Sequence, residues 1–226
     1  MFQPDNYKAH PSAIGSIMPT PKGDGIVSVG TATILQKWAK EQLYEKNESF
    51  NVSSKYTRKG VEMESRAIEY LIENSNIPWG TKNERTYEND FMVGTPDLVF
   101  TDLIVDIKCS YSCFTFPLFD TKCSPDYIWQ VQGYMELTGA KNAIVAYILM
   151  DAPEDVVTQE AYALARKEGS ELTEELVQRT QEQLQYEHLP ANLRIKLFHI
   201  AYDPIQVEKI KNKVADCREY LKTLSK

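Results

Sequence analysis

The sequence predicts an α/β fold in which a small mixed β-sheet is flanked by helices. The first observation behind this prediction is the order of elements in the middle of the chain: a helix, three short strands, a second helix and a further strand. The second is the continuous apolar run 143–150, which has the length of a buried strand. The third is composition, because 226 residues that are 42% hydrophobic and 25% charged are typical of one globular domain. We therefore expect a single domain over residues 1–226 with its core at about 54–150.

The N-terminal lead-in, residues 1–53, is expected to start as loop and to continue as helix. Prolines and glycines are concentrated in residues 1–27, which leaves room for one short helix near 12–18. Ser28 is suited to cap a helix that runs to about residue 47, because a serine oxygen can accept hydrogen bonds from the first turn. A second helix is predicted at about 54–74.

Short strands and one more helix complete the predicted core. The strand candidates lie near 85–87, 90–93, 97–101 and 103–108. The tight connection at Thr101-Asp102 predicts a hairpin between the last two candidates. The next helix is expected to begin after Ser124, because proline follows it, and to end at Gly139.

The C-terminal extension, residues 151–226, is predicted to be helix, strand and helix. Residues 158–187 are rich in Glu and Gln and predict one long helix, whereas residues 193–199 alternate as a strand does. Asp203-Pro204 is expected to open a final helix. Its apolar stripe should pack against the domain and consists of Val207, Ile210, Val214, Cys217, Leu221 and Leu224.

The charge of the chain limits how it could bind a polyanion. The formal net charge is −7, which argues against a passive DNA-coating protein because such proteins are usually basic. It does not exclude an enzyme that holds phosphates through a metal ion and a few local cations. No signal peptide and no apolar run of membrane-spanning length are visible, so we expect a cytoplasmic protein without a membrane partner.

Two acidic residues stand out by their positions. Glu64 falls on the stripe of the 54–74 helix that should face the core, where a carboxylate is costly unless it is paired or bound to a metal. Asp97 follows Pro96 in a turn that leads into a strand. Each has an ordinary structural interpretation, a boundary residue for Glu64 and a turn residue for Asp97.

Two pairs of polar residues follow. Asp106 and Lys108 alternate along an apolar strand, so they share one face of the sheet. They are either a structural ion pair or a metal-binding carboxylate beside a lysine that handles water or phosphate. Gln130 and Tyr134 are four residues apart and share one face of a helix, where they could bind a ligand or cap the core.

The joint pattern is more specific than any of its parts. A helical Glu, a Pro-Asp, eight further residues, an Asp-x-Lys and a Gln-x-x-x-Tyr follow one another on a helix–strands–helix–strand frame. This pattern resembles the PD-(D/E)XK nuclease superfamily, and within it the lambda-exonuclease or YqaJ-like viral recombination nucleases. The resemblance covers about 56–150; the segment 60–67 looks like the first-helix motif of that branch, and Ser12-Ala13-Ile14 is similar to its short N-terminal helix.

The resemblance implies a restriction-endonuclease-like core, ordered αβββαβ, and a metal site within it. Asp97 and Asp106 would be the main metal ligands, and Glu64 would join them directly or through water. The backbone carbonyl of Ile107 would complete the protein ligands. Carboxylate, carbonyl and water ligands suit Mg²⁺ or Mn²⁺.

The resemblance also implies roles for residues around the metal. Lys108 would orient or activate the attacking water and offset developing charge. Gln130 and Tyr134 would support the site or touch the DNA backbone. Ser12 is the best match to the N-terminal DNA contacts of the branch.

Three further segments have two interpretations each. The cations Lys55, Arg58 and Lys59 could receive DNA phosphates or form a solvated helix start. The aromatic connector 114–119 could wedge between DNA ends, although a buried connector is the simpler expectation. The Glu-rich segment 158–187 should repel DNA and is expected to form an outer face or a subunit contact.

The activity implied by the resemblance is that of a Mg²⁺-dependent deoxyribonuclease, an exonuclease on linear duplex DNA ends in phage-type recombination. Such an enzyme would work in the host cytoplasm if phage-encoded, beside a single-strand annealing protein, and either as a closed homotrimer or as a monomer whose apolar stripes are buried internally. Two alternatives stay open: a structure-specific or nicking endonuclease of the same superfamily, and a catalytically silent DNA-binding subunit.

Overall fold

The computed structural model describes residues 2–46 and 55–225, with only the backbone at 55–62. Its helices, in chain order, are α1 (Ile14–Ile17), α2 (Val29–Tyr44), α3 (Lys55–Asn74), α4 (Pro125–Thr138), α5 (Glu154–Glu168), α6 (Glu174–Gln183) and α7 (Pro204–Leu224). The strands are β1 (Tyr87–Glu88), β2 (Val93–Gly94), β3 (Leu98–Val99), β4 (Leu103–Ser110), β5 (Asn142–Leu149) and β6 (Ile195–Ala201). Short 3₁₀ turns occupy Pro4–Asn6, Pro11–Ala13 and Ala191–Leu193.

The main sheet is mixed, with strand order β3-β4-β5-β6. β3 and β4 form the predicted antiparallel hairpin, β4 and β5 are parallel, and β5 and β6 are antiparallel. α4 makes the crossover between the two parallel strands, which need a long connection of this kind. The predictions of a mixed sheet, of the hairpin and of a buried strand near 143–150 are confirmed.

Helices cover both faces of this sheet, and the alternation of β4 explains which residues each helix meets. Val105 and Ile107 share a core with the α3 residues Ala67 and Leu71 on one face. On the other face, Ile104 packs in a core with the α4 residues Val131 and Met135 and with Val145 of β5. Asp106 and Lys108 therefore belong to the α4 face of an interior strand.

The helices of the two ends form a further core around α4. The N-terminal segment, α2 and α7 bury a cluster that includes Ile14, Leu35 and Ile210. Asp203 caps α7 by accepting from the backbone N–H groups of Ile205 and Gln206. The predicted stripe of α7 is buried from Val207 to Leu221, whereas Leu224 is partly exposed.

Two sequence predictions are wrong in detail. Residues 158–187 do not form one helix, because α5 ends at Gly169 with φ of 65° and α6 begins after Thr173, whose side chain accepts from the Leu176 N–H. The C-terminal extension is thus helix, helix, strand and helix, and its strand joins the main sheet. The first two strand candidates pair as a separate ribbon, β1 with β2, outside the main sheet.

Among the described helices, none is both long and apolar enough to cross a membrane.

Candidate active site

Asp106, Lys108 and Gln130 form a closed triangle between β4 and α4. The Gln130 Nε2 amide donates to Asp106 Oδ1 at 2.9 Å, and Gln130 Oε1 accepts from Lys108 Nζ at 3.1 Å. Lys108 Nζ also lies 2.9 Å from Asp106 Oδ2. A glutamine suits this position because its side chain carries both a donor and an acceptor. The triangle fixes the two charged side chains relative to each other.

Burial and the attraction between Asp106 and Lys108 shift the pKa values of these two residues in opposite directions. Asp106 is 1% exposed, and burial raises its pKa, aided by the charge of Glu64, although Lys108 opposes the rise. Burial alone would lower the pKa of Lys108, but the charge and hydrogen bond of Asp106, with Tyr127 and Asp97, raise it overall. Lys108 therefore stays protonated, whereas the raised pKa of Asp106 means that its ionised form is disfavoured unless more positive charge is added than one lysine supplies.

The β3–β4 hairpin brings Asp97 to Asp106. The strands pair Val99 with Ile104 and Leu98 with Val105. One step further along this register, Asp97 lies opposite Asp106, which is the physical reason for the spacing of eight residues between them. Asp97 Oδ2 accepts from the Ile107 N–H at 2.6 Å, so the carboxylate is held at the edge of β4.

The pKa of Asp97 reflects this neighbourhood. Burial is the largest cause that raises it, to about 7, and the charges of Asp106 and Glu64 add to the rise. The hydrogen bond from Ile107 and the charge of Lys108 only partly offset these effects. Two buried carboxylates that lie close together with too little positive charge beside them favour the binding of an added cation.

Glu64 lies at the boundary of the core, as its ordinary structural interpretation predicts, and within reach of the same cluster. Its side chain is 18% exposed, and its Oε2 accepts from Lys82 Nζ at 2.9 Å. Its charge raises the pKa of both Asp97 and Asp106. Glu64 is therefore within electrostatic reach of Asp97 and Asp106, and its place in a metal site stays a prediction.

The donor set around Asp106 fits a hard divalent cation. Asp106 Oδ2 is buried and makes no aligned hydrogen bond, although Lys108 Nζ is close to it. The N–H of Ile107 points at Asp97, and since the N–H and C=O of one strand residue point to the same edge, its carbonyl is directed to that side as well. Such oxygens suit Mg²⁺ or Mn²⁺. Within 2–46 and 63–225, however, no three His, Cys, Asp or Glu side chains already stand close enough to hold a metal.

Ser12 reaches the neighbourhood of the site through two close approaches of its turn. The turn Pro11–Ala13 lies against Gly94 and Gly133, where an added Cβ would meet Pro11 atoms at 2.7 Å and 3.3 Å. Gly94 is three residues before Asp97, and the same Cβ would lie 3.0 Å from the Tyr134 ring. Ser12 itself is exposed.

Tyr134 belongs to the same helix face as Gln130, as predicted. Burial raises the pKa of the Tyr134 hydroxyl well above its ordinary value; the charge of Asp106 adds to this, and a hydrogen bond with Gln130 opposes it. Tyr134 therefore stays neutral, and its hydroxyl interacts with the Gln130 side chain by a hydrogen bond. The side chains of Lys55, Arg58 and Lys59 lie outside the described residues, so their predicted contact with DNA stays a prediction.

The aromatic connector is split between core and solvent, so the expectation of a buried connector is only partly right. Phe116 is 7% exposed and packs with Leu149 and Tyr186, whereas Phe114 and Phe119 are 93% and 90% exposed. Hydrogen bonds from the Cys113 N–H to the Tyr186 hydroxyl hold the same loop. The loop thus exposes two aromatic rings to solvent shortly after Lys108.

Sequence reasoning missed two residues of the site. Tyr127 lies under Lys108, with its ring centroid 4.5 Å from Nζ; its spacing of three from Gln130 could have revealed it, since such residues share a helix face. Lys82, which pairs with Glu64, belongs to an irregular segment between α3 and β1. No periodic signal exists there to find it.

Comparison with solved structures identifies the fold. A phage-related exonuclease from Haemophilus somnus 129PT superposes with a TM-score of 0.77 at 24% identity, over 97% of this chain and 95% of that one. The chain has the restriction-endonuclease-like fold of the phage-related exonucleases. The alkaline exonuclease LHK-Exo from Laribacter hongkongensis gives a TM-score of 0.64 at 16% identity, over 98% and 94% of the two chains. Its complex with dAMP gives 0.64 at 17%, over 96% and 93%. No protein-family model and no curated protein matches the sequence.

Proposed function

We propose that the chain is a divalent-metal-dependent deoxyribonuclease that acts on the ends of linear duplex DNA. The observation that carries the proposal is that the β3–β4 hairpin brings Asp97 near Asp106, with Lys108 Nζ 2.9 Å from Asp106 Oδ2. This arrangement is what a hydrolase of phosphodiesters needs: oxygen ligands for a hard cation and a fixed positive charge beside them. The exonuclease names of the solved structures with this fold support the same activity.

The proposed metal ligands are Asp97, Asp106 and the Ile107 carbonyl, with Glu64 joining directly or through water. A bound Mg²⁺ or Mn²⁺ would supply an activated water and offset charge on the phosphate. Lys108 keeps its proton, so its part is to hold a water or a phosphate oxygen rather than to remove a proton. Gln130 aims this ammonium and holds Asp106 in place.

Contacts outside this centre are proposed to position DNA. Tyr134 supports Gln130 or touches the backbone of the substrate, and Ser12 is accessible near the Asp97 turn. Lys55, Arg58 and Lys59 are proposed to receive phosphates from the start of α3. A few local cations of this kind fit a chain whose net charge of −7 gives little general attraction to DNA.

We also propose that the enzyme prefers DNA ends and serves phage-type recombination. It would work in the host cytoplasm with a single-strand annealing protein as partner and as a closed homotrimer. A ring that encloses DNA would hold an acidic protein on its substrate, and it would exclude circular DNA by its geometry. The LHK-Exo complex with dAMP, a nucleoside monophosphate, fits an enzyme of this class that releases single nucleotides.

One experiment tests the proposal and its rivals together. Linear and closed circular duplex DNA of the same sequence are incubated with the wild type, with Asp106→Asn and with the control Asp102→Asn, in Mg²⁺ or chelator. Asp102 is a suitable control because it is an exposed turn carboxylate that accepts from Lys141 and Asn142. We expect the wild type and Asp102→Asn to consume only linear DNA and only with Mg²⁺, and Asp106→Asn to be inactive.

Other outcomes point elsewhere. Rapid nicking of the circle would favour the endonuclease alternative. DNA binding without cleavage by the wild type would favour the silent subunit. Full activity of Asp106→Asn would remove Asp106 from the metal site.

A further inference from the structure

Lys82 lies between α3 and β1 and reaches the carboxylate of Glu64. Its Nζ donates to Glu64 Oε2 at 2.9 Å. The two side chains differ in exposure, with Lys82 at 47% and Glu64 at 18%. Glu64 is therefore held at the boundary of the core, whereas the flexible lysine stem can turn toward solvent.

This ion pair belongs to the edge of the acidic cluster. The hydrogen bond with Glu64 is the main cause that raises the pKa of Lys82; partial burial opposes the rise, and the charges of Glu64, Asp97 and Glu84 add to it. The acidic cluster is flanked by two lysines, Lys82 beside Glu64 and Lys108 beside Asp106.

The two lysines are held differently. Lys108 is fixed by Asp106, Gln130 and the Tyr127 ring. Lys82 is held by its ion pair with Glu64. This ion pair joins the irregular segment after α3 to α3 itself, outside the main sheet. An ammonium in a partly exposed ion pair of this kind can be replaced by a cation of higher charge at little cost in stability.

We propose that Lys82 is a displaceable counter-ion of Glu64 that competes with a divalent cation for this carboxylate. The inference rests on the proposed function, since it assigns Glu64 to the metal site. Its physical basis is that an ammonium at 2.9 Å from Oε2 both occupies a lone pair of Glu64 and repels a second cation. Lys82 thereby weakens the affinity of the free enzyme for metal, and its positive charge balances that of the Glu64 carboxylate until a divalent cation binds.

The test measures Mn²⁺ binding without DNA and without turnover. Free Mn²⁺ is followed by electron paramagnetic resonance during titration of the wild type, Lys82→Met, Lys82→Arg and the control Lys222→Met. Lys222 is a matched control because it is 46% exposed and pairs with Glu219 of α7 and with Asp5 of the N-terminal turn Pro4–Asn6. We expect Lys82→Met to bind Mn²⁺ about threefold to fivefold more tightly, while Lys82→Arg and Lys222→Met keep the wild-type affinity.

The outcomes separate this inference from the proposed function. If the wild type binds no Mn²⁺, the metal site and the inference fall together. If the wild type binds Mn²⁺ and Lys82→Met binds it equally or more weakly, only the role of Lys82 is overturned. Tighter binding by Lys82→Arg as well would also overturn it, because the positive charge would then not be the cause. Lys82→Gln serves as a second neutral variant if Lys82→Met does not fold.

Discussion

Replacing Asp97 by asparagine should stabilise the metal-free protein at neutral pH, although it removes a proposed ligand. The pKa of Asp97 is raised from 3.8 to about 7, mainly by burial and then by Asp106. A raised pKa means that the folded state binds the proton more tightly than the unfolded chain. The stability from this group is therefore fully present below pH 3.8 and is lost as the pH rises through about 7. Asparagine cannot ionise, and its oxygen can still accept from the Ile107 N–H.

The size of the effect follows from the two pKa values. One pKa unit corresponds to about 1.4 kcal/mol, and about two units of the difference are expressed between about pH 5 and about pH 8. The free energy of unfolding of the wild type should thus lose about 2.7 kcal/mol over this range through Asp97. Asp97→Asn should lack this loss.

The assay is urea unfolding in chelator, at about pH 5 and about pH 8, for the wild type, Asp97→Asn and the control Asp102→Asn. Asp102→Asn should follow the wild type, because Asp102 lies in an exposed turn. Equal pH dependence of the wild type and Asp97→Asn would contradict a raised pKa of Asp97 in the folded protein. It would mean that Asp97 ionises in the folded protein as readily as in the unfolded chain.

Two further predictions address Lys108 and the aromatic loop. Lys108→Ala should lower turnover by roughly a hundredfold or more, while Mn²⁺ binds at least as tightly as to the wild type because an ammonium 2.9 Å from Asp106 Oδ2 is removed; loss of Mn²⁺ binding with turnover retained would make Lys108 a structural counter-ion only. Phe116→Ala should lower the free energy of unfolding by about 3 kcal/mol, whereas Phe114→Ala should change it by less than about 0.5 kcal/mol. Chemical denaturation measures both, and equal losses would contradict the described split of the loop between core and solvent.

The sequence could predict the hairpin and its carboxylates because local rules determine them. Asp97 and Asp106 face each other once a tight turn is placed at Thr101-Asp102, and strand alternation then puts Lys108 beside Asp106. Helical spacing likewise predicts that Gln130 and Tyr134 share a face. These features depend on neighbours in sequence and on the regular geometry of one element.

Features that depend on packing between distant segments could not be predicted in this way. The bridge that Gln130 makes between Asp106 and Lys108 requires the position of α4 on the sheet, which no single pattern encodes. Lys82 meets Glu64 from an irregular segment. The break at Gly169 was missed because the Glu and Gln content around it outweighed one glycine in the helical prediction, although glycine is a common residue just after a helix end.

The most direct test of the central claim is the position of a bound cation. Crystals of the protein soaked in Mn²⁺ would locate the ion by its anomalous scattering. We expect a peak between the carboxylates of Asp97 and Asp106, within ligand distance of the Ile107 carbonyl. A peak held by other residues, or a soaked crystal in which Asp97 and Asp106 share no ion, would contradict it.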